Sequence, residues 1–177
     1  MNDAANLIES STSLITLQEE FYNFKKDLPG CDDYFVDANL FQKDFASYLQ
    51  MLVDRSFGII GSVPQTTYWY MNTDKNIIGL CSLRHRLTPS LKDLGGHIGY
   101  IIRPAERKKG HGTRLLALVL EKARDLGIPS VLLTTDAGNT ASRKIIERNG
   151  GILAEEALST MTGTMKARYW IEINDTN

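Results

Sequence analysis

Between Arg103 and Gly112 the chain reads Arg-Pro-Ala-Glu-Arg-Lys-Lys-Gly-His-Gly, with Arg107, Lys108 and Lys109 directly before Gly110 and Gly112. This is the composition of an anion trap. Glycine lets the backbone curl until successive N–H groups converge on one point. A short apolar strand, Ile98 to Ile102, leads in, and an amphipathic helix opens near Thr113. The start of a helix adds unpaired N–H groups and a partial positive charge. A pyrophosphate suits such a loop, held on the amides from Lys108 through Gly110, His111 and Gly112 to Thr113. Backbone amides carry most of such sites, so one or two of the three cationic side chains are expected to stay in solvent, and the His111 ring with them.

Three loop types compete for this pattern. A P-loop needs Gly-x-x-x-x-Gly-Lys-Ser/Thr, and no Lys-Ser/Thr follows Gly112. A dinucleotide-binding loop needs Gly-x-Gly-x-x-Gly/Ala, but Gly110-x-Gly112 runs into Thr113-Arg114-Leu115. Arg107-x-x-Gly110-x-Gly112 instead matches Arg/Gln-x-x-Gly-x-Gly/Ala, the signature of the acyl-CoA-dependent GNAT acyltransferases. A second run, Asn139-Thr-Ala-Ser142-Arg-Lys-Ile-Ile-Glu-Arg-Asn-Gly150, resembles that family's Asn-x-x-Ala/Ser motif, in the expected order and spacing. The resemblance spans about residues 65–173, and the helical N-terminal part agrees in pattern only.

The resemblance implies an α+β GNAT fold: a central mixed, mostly antiparallel sheet, flanked by helices, whose fourth and fifth strands splay apart. It implies acetyl-CoA as cofactor, with pantetheine in the gap beside the backbone of Tyr100, Ile101 and Ile102. Asn139 would contact the pantetheine arm as well as cap its helix, and Ser142 fills the small position one turn on. His97 falls where many relatives carry a glutamate, and histidine can serve as a general base near neutrality. Many members place a tyrosine seven residues after the motif asparagine, as the acid that protonates the departing thiolate. Here that residue is Ile146, so the role is empty or filled from elsewhere, with Tyr169 and Tyr100 as candidates. The activity implied is transfer of an acetyl group to a primary amine of a small molecule or peptide, by direct attack in a ternary complex and without metal. A CoA-binding module lacking turnover is the rival reading. Tyr68, Trp69 and Tyr70 would supply aromatic surface near the acceptor, although strand alternation should send half of them into the core. Many relatives dimerise, which makes a homodimer an expectation.

Composition sets outer bounds. A chain of 177 residues suits one domain, 1–177, with N-terminal helices over about 15–55 and a cofactor-binding core over about 97–151. A net charge of −1 gives no reason to expect nucleic acid or an anionic membrane as partner. Cys31 and Cys81 lack metal-ligand spacing and read as free thiols. The first residues show no charged-then-apolar leader, and no apolar run approaches the ~20 residues of a membrane span, so a cytoplasmic setting is expected.

The elements that must hold the loop follow from periodicity. Leu17, Phe21, Phe24 and Leu28 share one helical face, ended by Pro29-Gly30, while Ser13–Leu17 reads as a short strand or a helix entry. Phe41, Phe45, Tyr48, Leu49 and Leu52 mark a second helix, capped by Asp37 or Asn39. Thr67–Met71 and Ile77–Leu83 form a hairpin, 88–96 an exposed loop, and His97–Ile102 the next strand. A helix over about 113–126, a strand at 130–135 and a short helix after Asn139 follow. Strands near 152–154 and 166–173 close the chain.

Overall fold

The alternation in Gln65-Thr-Thr-Tyr-Trp-Tyr-Met71 sends neighbouring aromatics to opposite faces of a strand, and both faces are buried. In a computed structural model describing residues 5–28 and 44–173, this strand, β2 (Gln65–Met71), lies between β1 (Asn6–Glu9) and β3 (Ile77–Arg84). With β4 (Ile98–Ile102) they form an antiparallel sheet in the order β1-β2-β3-β4. A second antiparallel sheet has the order β5-β7-β6, built from β5 (Ser130–Asp136), β7 (Met165–Glu172) and β6 (Ile152–Leu158). The helices are α1 (Gln18–Lys26), α2 (Phe45–Ser56), α3 (Pro89–Asp93), α4 (His111–Asp125) and α5 (Thr140–Arg148).

Two apolar clusters sandwich the first sheet. Tyr68 and Tyr70 join Leu115, Leu116 and Val119 of α4, whereas Trp69 and Met71 join Phe21 and Phe24 of α1 with Phe45, Tyr48, Leu49 and Leu52 of α2. Phe21 stacks on Trp69 with ring centroids 4.7 Å apart. Burying each such side chain stabilises the fold by about 1.5–3 kcal/mol. The aromatic surface expected of Tyr68, Trp69 and Tyr70 is therefore absent. All three are core, because helices cover both faces.

Several local expectations shift. Thr12–Leu17 is a 3-10 turn leading into α1, and the first strand lies earlier, at Asn6–Glu9. The helix α2 begins at Phe45 with Asp44 as cap, its carboxylate accepting from Ser47 N at 3.2 Å. Pro29-Gly30, Cys31, Asp37, Asn39 and Phe41 lie outside the described residues. Within 88–96 the chain forms the one-turn helix α3, capped by Thr88 through Leu91 N at 3.2 Å. Its last residue, Asp93, reaches the β6–β7 turn. There its carboxylate accepts from Ser159 Oγ (2.9 Å), Thr160 Oγ1 (3.1 Å), Met161 N (3.2 Å) and Arg168 Nη2 (2.6 Å). Hydrogen bonds from Ser159 first, then Thr160 and Met161, with the charge of Arg168, hold the Asp93 carboxyl below the usual range despite some burial. No helix of the described residues is long and apolar enough to cross a membrane.

Candidate active site

The strands β4 and β5 lie side by side without a ladder. At the start of β4, His97 N donates to Leu132 O at 2.7 Å, and Leu132 N donates to His97 Nδ1 at 2.9 Å. Among the described residues no other main-chain hydrogen bond joins the two strands. The bonds Arg84 N to His97 O and Arg103 N to Ile78 O bracket the β3–β4 ladder. By antiparallel alternation Gly99 and Ile101 then bond to β3, and the peptide groups of Ile98, Tyr100 and Ile102 face the gap. Ile101 thus departs from the expectation. Its backbone serves the ladder and its side chain packs on the α1–α2 cluster, although it borders the gap.

The gap opens onto the loop before α4. Lys108 adopts φ +63° and Gly110 φ +88°, left-handed conformations that turn the chain sharply into the helix. The main-chain N–H groups from Lys108 to Thr113 have no hydrogen-bond partner among the described residues, and the first bond of the new helix is Arg114 N to Gly110 O. Gly112 is small for a packing reason, since a Cβ there would stand 2.6 Å from Ile145 Cδ1 of α5. Tyr100, Ile102, Arg107, Lys108, Gly110, Gly112, Thr113, Asn139 and Ser142 all border a cavity of about 560 Å³ at this mouth.

Other loop side chains point elsewhere. Arg107 Nε donates to Ile102 O at 3.1 Å, so part of its guanidinium ties the loop to β4. Lys109 is exposed and pairs with Glu106 at 3.0 Å, away from the cavity lining. The His111 ring turns inward rather than to solvent, with Nδ1 3.4 Å from Tyr70 Oη and Nε2 3.6 Å from Glu106. Only its main-chain N–H remains at the helix start. Two cations outside the loop's basic run, Lys144 and Arg148, border the same cavity. Their i, i+4 spacing put both on one face of α5, a signal present in the sequence but common to many solvated helices.

Further in, Asn139 Oδ1 accepts from Ser142 N at 3.1 Å and caps α5. Tyr100 Oη lies 3.0 Å from Ser142 Oγ, bridging β4 and α5 across the gap. Burial raises the Tyr100 phenol pKa above its ordinary value, so the hydroxyl stays protonated. Beyond the bridge, farther from the loop, is an inner compartment of about 340 Å³, itself open to solvent and bordered by Leu94, Ile98, Tyr100, Leu133, Thr134, Asp136, Ile146 and Lys166. The Asp136 carboxylate pairs with Lys166 at its edge.

The two residues expected to move protons are engaged otherwise. His97 is buried, its Nδ1 holds the Leu132 amide, and its pKa is pushed down to about 4, first by burial and then by the neighbouring Arg84 charge. A ring that is neutral and committed to main chain joins strands; it does not take a proton from an amine. The Tyr169 hydroxyl donates to Glu147 Oε1 at 2.9 Å and accepts from Arg143 Nε at 2.8 Å, and the residue borders neither compartment. Neither partner set was visible in the sequence, because both join residues far apart in the chain.

Splayed strands, a row of open amides at a helix start and a gap reaching the sheet interior together define one known architecture. The model of the acetyltransferase (GNAT) domain matches residues 23–152. The chain belongs to the GNAT acetyltransferase family. Solved structures agree in fold. The ribosomal-protein-S5-alanine acetyltransferase of Vibrio fischeri superposes with a TM-score of 0.72 at 15% identity, covering 97% of this chain and 94% of that one. A dodecameric spermidine N-acetyltransferase of Vibrio cholerae gives 0.68 at 14% identity, covering 97% and 95%. A Salmonella typhimurium protein solved with its cofactor acetyl-CoA gives 0.63 at 14%, covering 98% and 96%. No curated protein matches by sequence. As a GNAT acetyltransferase the chain is an acyl-CoA-dependent enzyme, and acetyl-CoA is its cofactor. The groove fits that molecule: open amides, Lys108, Lys144 and Arg148 suit its phosphates, and the narrow gap suits its pantetheine arm.

Proposed function

We propose that this enzyme transfers the acetyl group of acetyl-CoA to a primary amine of a small molecule or peptide, by direct attack with both substrates bound. The observation that carries the reading is the unpartnered N–H row from Lys108 to Thr113, opening onto a gap that continues past Tyr100 into the inner compartment. Main-chain donors fixed in advance need no reorganisation when charge appears, and a single donor of this kind contributes about 10²–10³ in rate. On this reading Lys108, Gly110, Gly112 and Thr113 hold the pyrophosphate, and Tyr100, Ile102 and Asn139 flank the pantetheine. The relatives in fold named above act on a polyamine and on the alanine of a ribosomal protein, so both acceptor types belong in a substrate panel. A cytoplasmic setting supplies the acyl-CoA.

Calorimetry with CoA tests the cofactor half, and the absence of heat at millimolar ligand would overturn it. Thiol release from acetyl-CoA with spermidine, small amines and peptides bearing a free N-terminus tests the transfer half. The buried, apolar Ile146 favours one alternative, a module that binds CoA without turnover. Binding without thiol release across the panel would select it. We further propose self-association, supported by the outer strand β6, which leaves Ile152, Leu153 and Leu158 exposed; sedimentation of the purified chain reads it directly.

A further inference from the structure

Resting on the acetyl-transfer reading above, we propose that Tyr100 is the catalytic acid, its hydroxyl protonating the departing CoA sulfur, and that Ser142 is the positioning residue that holds this hydroxyl until the sulfur arrives. When an amine displaces the thioester, the electron pair of the breaking carbon–sulfur bond goes to sulfur. With the pyrophosphate on the loop amides and the pantetheine arm in the gap, that sulfur would come beside the residues lining both compartments. Ile146 presents only hydrocarbon to the inner compartment, and Tyr169 has its hydroxyl between Arg143 and Glu147, outside it.

Tyr100, Asn139 and Ser142 border both compartments. An amide carries no usable acidic proton, and an alkyl hydroxyl is a far weaker acid than a phenol. Lys166, the ammonium bordering the inner compartment, is paired with Asp136. Tyr100 is thus the acid that reaches both sides of the passage. Its present partner is also informative. The 3.0 Å contact with Ser142 Oγ spans the gap where an arm threaded from mouth to interior must pass. An arm passing there would have to part this contact, and a part-buried hydroxyl that loses one partner takes the next polar or charged atom offered.

The step balances without a further reactant. The amine lone pair forms the new carbon–nitrogen bond, the carbon–sulfur bond breaks towards sulfur, and Tyr100 gives its proton to sulfur. The nitrogen sheds its proton to solvent, and the phenolate regains one from solvent.

The test is a titration of CoA bound to the full chain, followed by thiolate ultraviolet absorbance, in the wild type, Tyr100→Phe and Ser142→Ala. A hydrogen bond to the thiolate is worth about one pH unit. The bound thiol should therefore ionise about one unit lower in the wild type than in Tyr100→Phe. Ser142→Ala removes the group that positions the phenol and should move the curve part of the way towards that of Tyr100→Phe; a curve identical to the wild type would overturn the role of Ser142. With an amine found active in the panel, Tyr100→Phe should lower kcat about 100-fold while the KM for acetyl-CoA stays within about threefold. If that variant fails to fold, tyrosine fluorinated beside the hydroxyl at position 100 changes acid strength with little change of shape, and kcat should follow it. Coincident titration curves, or undiminished kcat, would overturn the assignment of Tyr100 and leave the cofactor reading intact. A wild-type chain that binds no CoA would instead remove the cofactor reading, and the assignment of Tyr100 with it.

Discussion

The two ends of the β4–β5 gap are built on opposite principles. At the loop end, main-chain donors from Lys108 to Thr113 stand open, and two residues hold left-handed backbone to keep them so. At the vertex, His97 and Leu132 pair through main chain and ring Nδ1, and the largely buried ring borders a separate open cavity with Leu87, Ile128 and Trp170. By residue type alone the vertex looks the more reactive, since it holds a histidine. By hydrogen-bond accounting its main chain and ring Nδ1 are spent, because buried groups with their partners made have little left to offer a ligand. On the proposed reading, unsatisfied backbone rather than a reactive side chain marks where the ligand goes.

That contrast can be broken from the loop end with the largest effect. Gly112→Asp places a Cβ 2.6 Å from Ile145 Cδ1 and a negative charge among the open loop amides. CoA binding measured by calorimetry should fall below detection, a loss of at least about 1000-fold, while far-ultraviolet circular dichroism shows a folded chain. Retained affinity would place the anion elsewhere.

From the vertex the readout is stability. With the folded pKa of His97 at about 4 and an unfolded value near 6.5, the unfolded chain binds the extra proton between those limits. Stability should therefore fall as pH drops from about 6.5 towards 4, by about 1.4 kcal/mol per unit and roughly 3 kcal/mol in all. His97→Asn keeps an acceptor for the Leu132 amide but cannot titrate, so urea midpoints of this variant should lose that component of the acid slope. CoA affinity at neutral pH should be little changed.

Smaller effects sharpen the contrast within the mouth itself. Lys144→Ala and Arg148→Ala should each weaken CoA binding by about three- to tenfold, and the loss should shrink as salt is raised. Lys109→Ala, which removes a charge paired with Glu106 and facing away from the cavity, should alter affinity by less than about twofold.

Local rules carried the reading of the loop and the elements around it. The hairpin, the strand before Arg103, the helix after Gly110 and the cap at Asn139 are each specified by neighbours a few residues apart. Long-range contacts set what local rules do not show. β1 is a short edge strand with no alternation, held by pairing with residues some sixty positions away. His97 changes meaning only once Leu132 is beside it, and Tyr169 once α5 supplies Arg143 and Glu147. The aromatic run at 68–70 suggested a binding surface because sequence alone does not show helices covering both faces of its strand.

The carboxylate of Asp93 has a mechanical consequence. Besides the Tyr100–Ser142 bridge and a bond from Gly95 N to Thr134 Oγ1, hydrogen bonds join the half-sheets at the His97–Leu132 pinch and at this cluster, which fastens the α3 turn to the β6–β7 hairpin. Such a frame works like a clothes-peg, pivoting near its closed tip while the jaws part around whatever is slid between them. Acid should loosen it in order: the imidazole pivot yields first, while the aspartate rivet, held ionised by its donors, keeps the halves together further down the scale.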